Sequence, residues 1–150
     1  MTAPHKPDRT IDEIAARLAT SGQRLTPGRR ALVEVLERSP RPLTLPELLD
    51  ADPSLNQSSA YRNLVALEEI GVVHRLTQGP SEHAAFELTE AFSAHHHHLV
   101  CTDCGTVTDV TLSDEAERAI DHALVAAAES HQFTAQHHTL DLFGVCRTCR

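Results

Sequence analysis

Apolar positions in the first half of the chain recur at helical spacing, in short stretches that each open on a cap. Ile11, Ile14, Ala15 and Leu18 follow Thr10, which stands three residues ahead of Glu13; this predicts an amphipathic helix capped at Thr10 and ending at Gly22. Thr26-Pro27 starts a second helix with Leu32, Val35 and Leu36 on one face, and Thr44-Leu45-Pro46-Glu47 starts a third through Leu48 and Leu49. A fourth begins in Asn56-Gln57-Ser58-Ser59 and runs to Gly71 with Leu64, Leu67 and Ile70 inward. Beyond Gly71 the period changes. Val72 to Leu76 and Ala84 to Leu88 read as two short strands around the turn-rich Gln78-Gly79-Pro80-Ser81. A helix–turn–helix followed by a hairpin is the order of a winged helix.

The second half reads differently. His95-His96-His97-His98 leads into Leu99-Val100-Cys101 as a strand, Ser113 to about Ser130 reads as a helix with Ile120, Ala123, Leu124 and Ala127 as its inner face, and His137 to Val145 reads as another strand. The fold class expected is α+β, a winged helix-turn-helix domain followed by a small α/β domain. Side chains alternate along a strand, so His96 and His98 share one face and His95 and His97 the other. One run can therefore feed two sites. A solvated polar run is the bland alternative. For Glu117 it is a capping box with Asp114, and for His138 a buried, hydrogen-bonded ring.

Charge sharpens the division. Residues 1–80 hold ten Lys and Arg against ten Asp and Glu, whereas residues 81–150 hold three against eleven and nine of the 11 His. The 150 residues suffice for one ordinary domain or two small ones. No apolar run approaches the roughly 20 residues of a membrane span, and Met1 to Arg9 lacks a signal-type stretch, so a soluble cytoplasmic protein with no membrane partner is expected.

Two C-x-x-C knuckles, Cys101–Cys104 and Cys146–Cys149, stand 41 residues apart. Two thiolates at that spacing occupy two corners of a tetrahedron, so the pair of knuckles suits a closed structural Zn2+ site. Disulfides and a redox dithiol are the competing readings; a reducing compartment disfavours the first, and the second needs no matched pair. Zinc would also explain how so small a lobe stays folded.

A recognition helix presents its N-terminal residues to the major groove. Here that end offers Gln57, Ser58, Ser59, Tyr61, Arg62 and Asn63, with Arg24, Arg29 and Arg30 nearby for phosphates or a minor groove. Capping and solvation are the ordinary uses of such residues; it is the ordered set that points to double-stranded DNA.

Thr26-Pro27-Gly28-Arg29, Ala60-Tyr61-Arg62-Asn63-Leu64, Phe86-Glu87-Leu88, His95 to His98 with Cys101 and Cys104, and Leu142-Phe143-Gly144-Val145-Cys146 together resemble the ferric uptake regulator (Fur) family over residues 10–150. The resemblance implies a homodimeric, metal-activated repressor, with a winged-helix domain (1–88), a hinge (89–94) and a metal-binding dimerisation domain (95–150). It implies structural zinc at Cys101, Cys104, Cys146 and Cys149, and a regulatory metal at His74, Glu87, His96 and His98. A third site would use His95, His97, Glu117 and His138. DNA contacts would come from Tyr61 and Arg62, with Arg24 in a minor groove; Arg29, Ser58 and Ser59 complete the candidate DNA-binding set. The departures bear on the metal. Iron-type members often place a His where this chain has Arg41-Pro42-Leu43-Thr44 and an Asp inside the histidine run, while many zinc-type members carry a Cys near Thr89. Three His and one carboxylate suit tetrahedral Zn2+, which places the chain nearest the zinc uptake regulator type, although Fe2+ and Mn2+ accept the same ligands. A peroxide sensor on the same frame is the alternative. An enzyme acting on a small organic substrate is not expected, since no H-E-x-x-H is present. A plain metal store would leave Tyr61-Arg62 and the wing without a purpose.

Overall fold

The computed structural model describes residues 7–76, 84–136 and 138–150, so the turn Gln78-Gly79-Pro80-Ser81 lies outside the described residues, as does His137. Four helices and a three-stranded sheet build the first lobe: α1 (Pro7–Thr20), α2 (Pro27–Arg38), β1 (Leu43–Thr44), α3 (Leu45–Ala51), α4 (Gln57–Glu69), β2 (Val73–Leu76) and β3 (Ala85–Leu88). Most starts follow the capping chemistry. Thr26 accepts from the Arg29 amide at 3.4 Å with Pro27 in the first turn, and Asn56 accepts from the Ser58 and Ser59 amides. At α3 the Glu47 carboxylate accepts from the Thr44 amide and hydroxyl, both at 2.8 Å. α1 differs from expectation: it starts at Pro7, so Thr10 lies inside the helix. The fully buried Thr10 hydroxyl donates to Glu37 at 2.7 Å, a contact between helices and not a cap.

The sheet has the order β1-β3-β2, all antiparallel, with His74 opposite Glu87. Two residues are too few for β1 to show a period, and only its pairing with Phe86 and Ala85 makes it a strand. Ile14, Leu18, Leu32, Leu48, Leu64, Leu67 and Phe86 fill the space between helices and sheet. The segment expected as a hinge is packed on this lobe: Phe92 joins its core beneath the Arg17 guanidinium, and the Thr89 hydroxyl donates to the Gly71 carbonyl.

The second lobe has β4 (His97–Cys101) at its centre, antiparallel to β5 (Val107–Val110) and parallel to β6 (Asp141–Gly144), with α5 (Asp114–Ser130) on the connection between β5 and β6. β5 had no sequence expectation. Its start follows Gly105, whose φ of +71° turns the chain back after the first knuckle. Both expected strands are shorter than their sequence runs: β4 begins at His97, not His95, and β6 at Asp141, not His137. The face of α5 expected inward is a second correction. Ala123, Leu124 and Ala127 are exposed, Ile120 is half-buried, and no residue of α5 is buried. A helical period reports which side is apolar, not what covers it, and among the described residues Ala123, Leu124 and Ala127 are left uncovered. Among the described residues no helix is long and apolar enough to cross a membrane.

Candidate metal centres and nucleic-acid interface

The four cysteines meet because β6 runs parallel beside β4. Register sets Cys101 against Gly144, and two residues further on Cys146 donates its amide to the Cys101 sulfur at 3.3 Å. Cys104 and Cys146 sulfurs lie 3.7 Å apart, all four sulfurs fall within 4.8 Å of one another, and none is in a disulfide. Backbone amides of Cys104 and Cys146 lower the Cys101 thiol to about 6, while contacts with Cys146 and Cys104 push Cys149 up to about 12. Four thiols crowded this way do not all ionise without a cation among them. The donor set fits Zn2+.

A second cluster spans the two lobes. Glu87 on β3 reaches across with Oε2 at 3.0 Å from both His96 Nε2 and His98 Nε2. Each ring is held through its other nitrogen, His96 Nδ1 by the Ala94 carbonyl at 2.8 Å and His98 Nδ1 by Asp141 Oδ1 at 2.9 Å. Burial works to raise the Glu87 pKa, but hydrogen bonds from His74, His96 and His98 hold it well below the carboxylate range. In return Glu87 raises His96 to about 9. Burial opposes ionisation of His98, yet its hydrogen bonds to Glu87 and Asp141 outweigh it. Protons supply the positive charge here, and a divalent ion would replace them.

The fourth donor is Asp109 on β5, opposite His98 in register and 4.0 Å from its Nε2. Its buried Oδ1 has no hydrogen-bond partner among the described residues, and burial raises its pKa; an orphaned oxygen at this point fits a cation. His74, the fourth residue that the resemblance implied, sits beside the cluster instead. As the cross-strand neighbour of Glu87 it meets the opposite oxygen, Nδ1 to Oε1 at 3.3 Å, and it lies outside the four-donor group. Asp109 escaped sequence reasoning because β5 did; its eight-residue offset from Cys101 carries no periodic signal.

The other two histidines face away, as strand alternation requires, and join α5. Glu117 lies 2.9 Å from His97 Nε2 and 3.3 Å from His95 Nε2, with His138 Nε2 at 3.9 Å. Among the described residues His97 Nδ1, Glu117 Oε2 and His138 Nε2 are buried without hydrogen-bond partners. Helix α5 is capped by Ser113, which accepts from the Ala116 amide at 3.3 Å. The capping box with Asp114 is therefore absent, and the Glu117 carboxylate is turned to the histidines. The four side chains offer donors within 4.8 Å.

On the first lobe Ser58, Ser59, Tyr61 and Arg62 line the exposed start of α4, and Arg24 is exposed nearby. Arg29 is half-buried: its Nε donates to Asn63 Oδ1 at 3.3 Å and its Nη1 to the Arg24 carbonyl at 2.9 Å, which ties the start of α2 to α4. The helices pack closely at Gly28, where a Cβ would stand 3.2 Å from Asn63 Nδ2. The helix dipole and the exposed polar side chains here favour an anion, while the Ser58 and Ser59 amides are already taken by Asn56.

A winged helix whose β3 carboxylate shares a donor cluster with a second, histidine- and cysteine-bearing lobe defines a class, the metal-responsive transcription regulators. The sequence model of the Ferric uptake regulator family matches residues 20–143, and the chain belongs to that family. It is 31% identical over 150 aligned residues to the peroxide-responsive repressor PerR of Staphylococcus epidermidis, covering 95% of this chain and 92% of that protein. Its fold is that of the Helicobacter pylori ferric uptake regulator, with a TM-score of 0.72 at 22% identity over 99% of this chain and 97% of that one. A zinc-bound manganese uptake regulator superposes with a TM-score of 0.58 at 28% identity, over 91% and 98% of the two chains. The family is one of transcription regulators rather than enzymes. Relatives named for peroxide, iron and manganese stand side by side here, so likeness alone does not select the zinc type expected from sequence.

Proposed function

We propose that this chain is a zinc-responsive repressor, of the zinc uptake regulator type, which binds a partly palindromic DNA operator as a homodimer and controls metal uptake genes in the cytoplasm. The observation that carries the reading is Glu87 Oε2 at 3.0 Å from two ring nitrogens of the other lobe. A bound divalent cation supplies the charge this cluster requires. Glu87, His96 and His98 then hold the wing strand against the second lobe, with Asp109 as fourth donor and His74 beside it. Holding the lobes in one orientation sets the distance between the two recognition helices of a dimer, and half-site spacing is a geometric condition for operator binding. Within the expected hinge, residues 89–94, Thr89 and Phe92 move with the first lobe, so the lobes reorient about the part of the segment that follows Phe92. About 10⁴-fold tighter ion binding to the closed form would turn a mostly open population mostly closed.

Four donors in each cluster suit the tetrahedral preference of Zn2+, whereas Mn2+ and Fe2+ favour larger shells. Cys101, Cys104, Cys146 and Cys149 are the structural zinc ligands, and His95, His97, Glu117 and His138 a third site. Arg24, Arg29, Ser58, Ser59, Tyr61 and Arg62 are the DNA-facing set, with Arg29 also bracing α2 on α4.

The test is operator binding by fluorescence anisotropy across a zinc titration, with the wild type and Glu87→Ala, at fixed salt because phosphate contacts are salt-sensitive. Zinc-dependent binding by the wild type and its loss in the variant are expected; operator affinity indifferent to zinc in the wild type overturns the switch. A second reading, peroxide sensing through Fe2+ at the same residues, is favoured by the 31% identical peroxide-responsive relative and by the second carboxylate, Asp109. Mass spectrometry of iron-loaded protein after peroxide separates the two: an added oxygen on His96 or His98 supports iron sensing.

A further inference from the structure

Of the five histidines in the two clusters, all but His97 are held by the nitrogen that faces away from the cluster. Besides Ala94 on His96, the holding groups are carboxylates: Glu90 on His95 Nδ1 at 2.6 Å, Asp121 on His138 Nδ1 at 3.1 Å, and Asp141 on His98 Nδ1 at 2.9 Å. Asp141 comes from furthest along the chain, 43 residues beyond its partner, and reaches it because the parallel register of β4 and β6 sets His98 against Asp141. An ionised carboxylate only accepts, so His98 Nδ1 keeps its hydrogen and Nε2 is the nitrogen left to face Glu87. The ring is almost wholly enclosed, with its side chain 7% exposed, so it is not free to turn and exchange its two nitrogens.

We infer that Asp141 is a positioning residue of the metal-sensing cluster, an outer carboxylate that locks His98 with Nδ1–H toward β6 and presents Nε2 to a divalent cation. The inference rests on the reading of Glu87, His96 and His98 as the sensing donors. Outer carboxylates of this kind orient the ring and raise its basicity as a ligand. They are worth about 10–100-fold in metal affinity. Asp141 also belongs to the strand that leads into Cys146, so it joins the sensing cluster to the strand on which the cysteine cluster is built.

The experiment is a double-mutant cycle on the full chain with its cysteine-bound zinc in place, reading the affinity for one further equivalent of Zn2+ by competition with a chromogenic chelator. Asp141→Ala is expected to weaken that equivalent about 10–100-fold. Asp141→Asn, which still accepts but carries no charge, falls between, and it carries the test if the alanine variant does not fold. In a His98→Ala background the Asp141 substitution adds less than about twofold, since its effect runs through the ring. In zinc-loaded wild type the His98 Nδ1 proton is expected as a slowly exchanging, downfield imidazole resonance in 15N-edited NMR, lost in Asp141→Ala. An equal loss of affinity in the His98→Ala background assigns Asp141 a general structural role and overturns the inference, as does wild-type affinity in both Asp141 variants. If His98→Ala itself binds zinc like the wild type, the sensing reading fails first and takes this inference with it.

Discussion

The two lobes are held together by opposite means. In the first, leucines, isoleucines and valines from four helices meet the inner face of a small sheet, and its helix starts are closed by Thr26, Glu47 and Asn56. In the second, only Val100, Cys101 and Val107 are buried among the apolar residues described, while His97 and His98 are buried with them. Of the nine large apolar side chains exposed among the described residues, eight belong to the second lobe, with Leu142 65% and Phe143 56% exposed. A lobe that leaves its oil outside and its imidazoles inside draws its folding free energy from something other than burial within one chain. Bound ions and a second copy are the two sources its surface and its donor clusters suit.

The sharpest break of this contrast is loss of one thiol. Apparent binding energies of structural zinc are about 10–16 kcal/mol, as large as the whole stability of a small domain. Cys146→Ser is therefore expected to lose one zinc per chain by elemental analysis and to unfold the second lobe, seen as loss of the α5 contribution to the 222 nm circular dichroism. The first lobe should still melt cooperatively. Retention of full helical signal in the metal-stripped variant would make the second lobe a conventional core.

The converse substitution acts on the first lobe. Leu64→Ala, at a fully buried position, should cost about 2–5 kcal/mol in denaturant unfolding and leave the zinc content per folded chain unchanged.

Next in size is the exposed face of β6. Leu142→Asp is expected to weaken self-association by about 2 kcal/mol, roughly 30-fold in dimer Kd by analytical ultracentrifugation. A dimer of undiminished affinity in this variant would place the contact between copies elsewhere.

The smallest effect concerns pH. Arg41 and the Thr44 donors lower Glu47 to about 2, so its contribution is present above the ordinary carboxylate value and is lost as pH falls from about 4.5 through about 2. Glu47 is partly exposed, and solvent screening holds the contribution to about 1 kcal/mol or less. Glu47→Gln should flatten that part of the acid-unfolding curve of the first lobe and leave neutral-pH metal binding unchanged.

Much of this was readable from residue order because it is local. Caps act within one turn, so the starts of α2, α3 and α4 stood out from Thr26-Pro27, Thr44-Leu45-Pro46 and Asn56. Thr10 misled because the same hydroxyl that suits a cap also suits a buried contact, and Glu37 is 27 residues away. The pairing of His96 with His98 and of His95 with His97 was legible in the alternation of a strand, even though two of the four precede the strand itself. The knuckle spacing marked the four cysteines in the same way.

What the residue order determined by itself, then, is everything that depends on neighbours a few positions apart: the winged-helix succession, the sorting of the histidines onto two faces, and the two cysteine pairs. The tertiary structure alone decided which carboxylates join them. Asp109 joins Glu87, His96 and His98 while His74 meets the other Glu87 oxygen, Asp141 braces His98, and Glu117 turns from capping to the histidines. The physical reason is that these partners meet through strand order and register, with β5 on one side of β4 and β6 on the other, and through the packing of a helix beside that sheet. Such contacts are fixed by hydrogen bonds between distant segments, and no period along one segment encodes them.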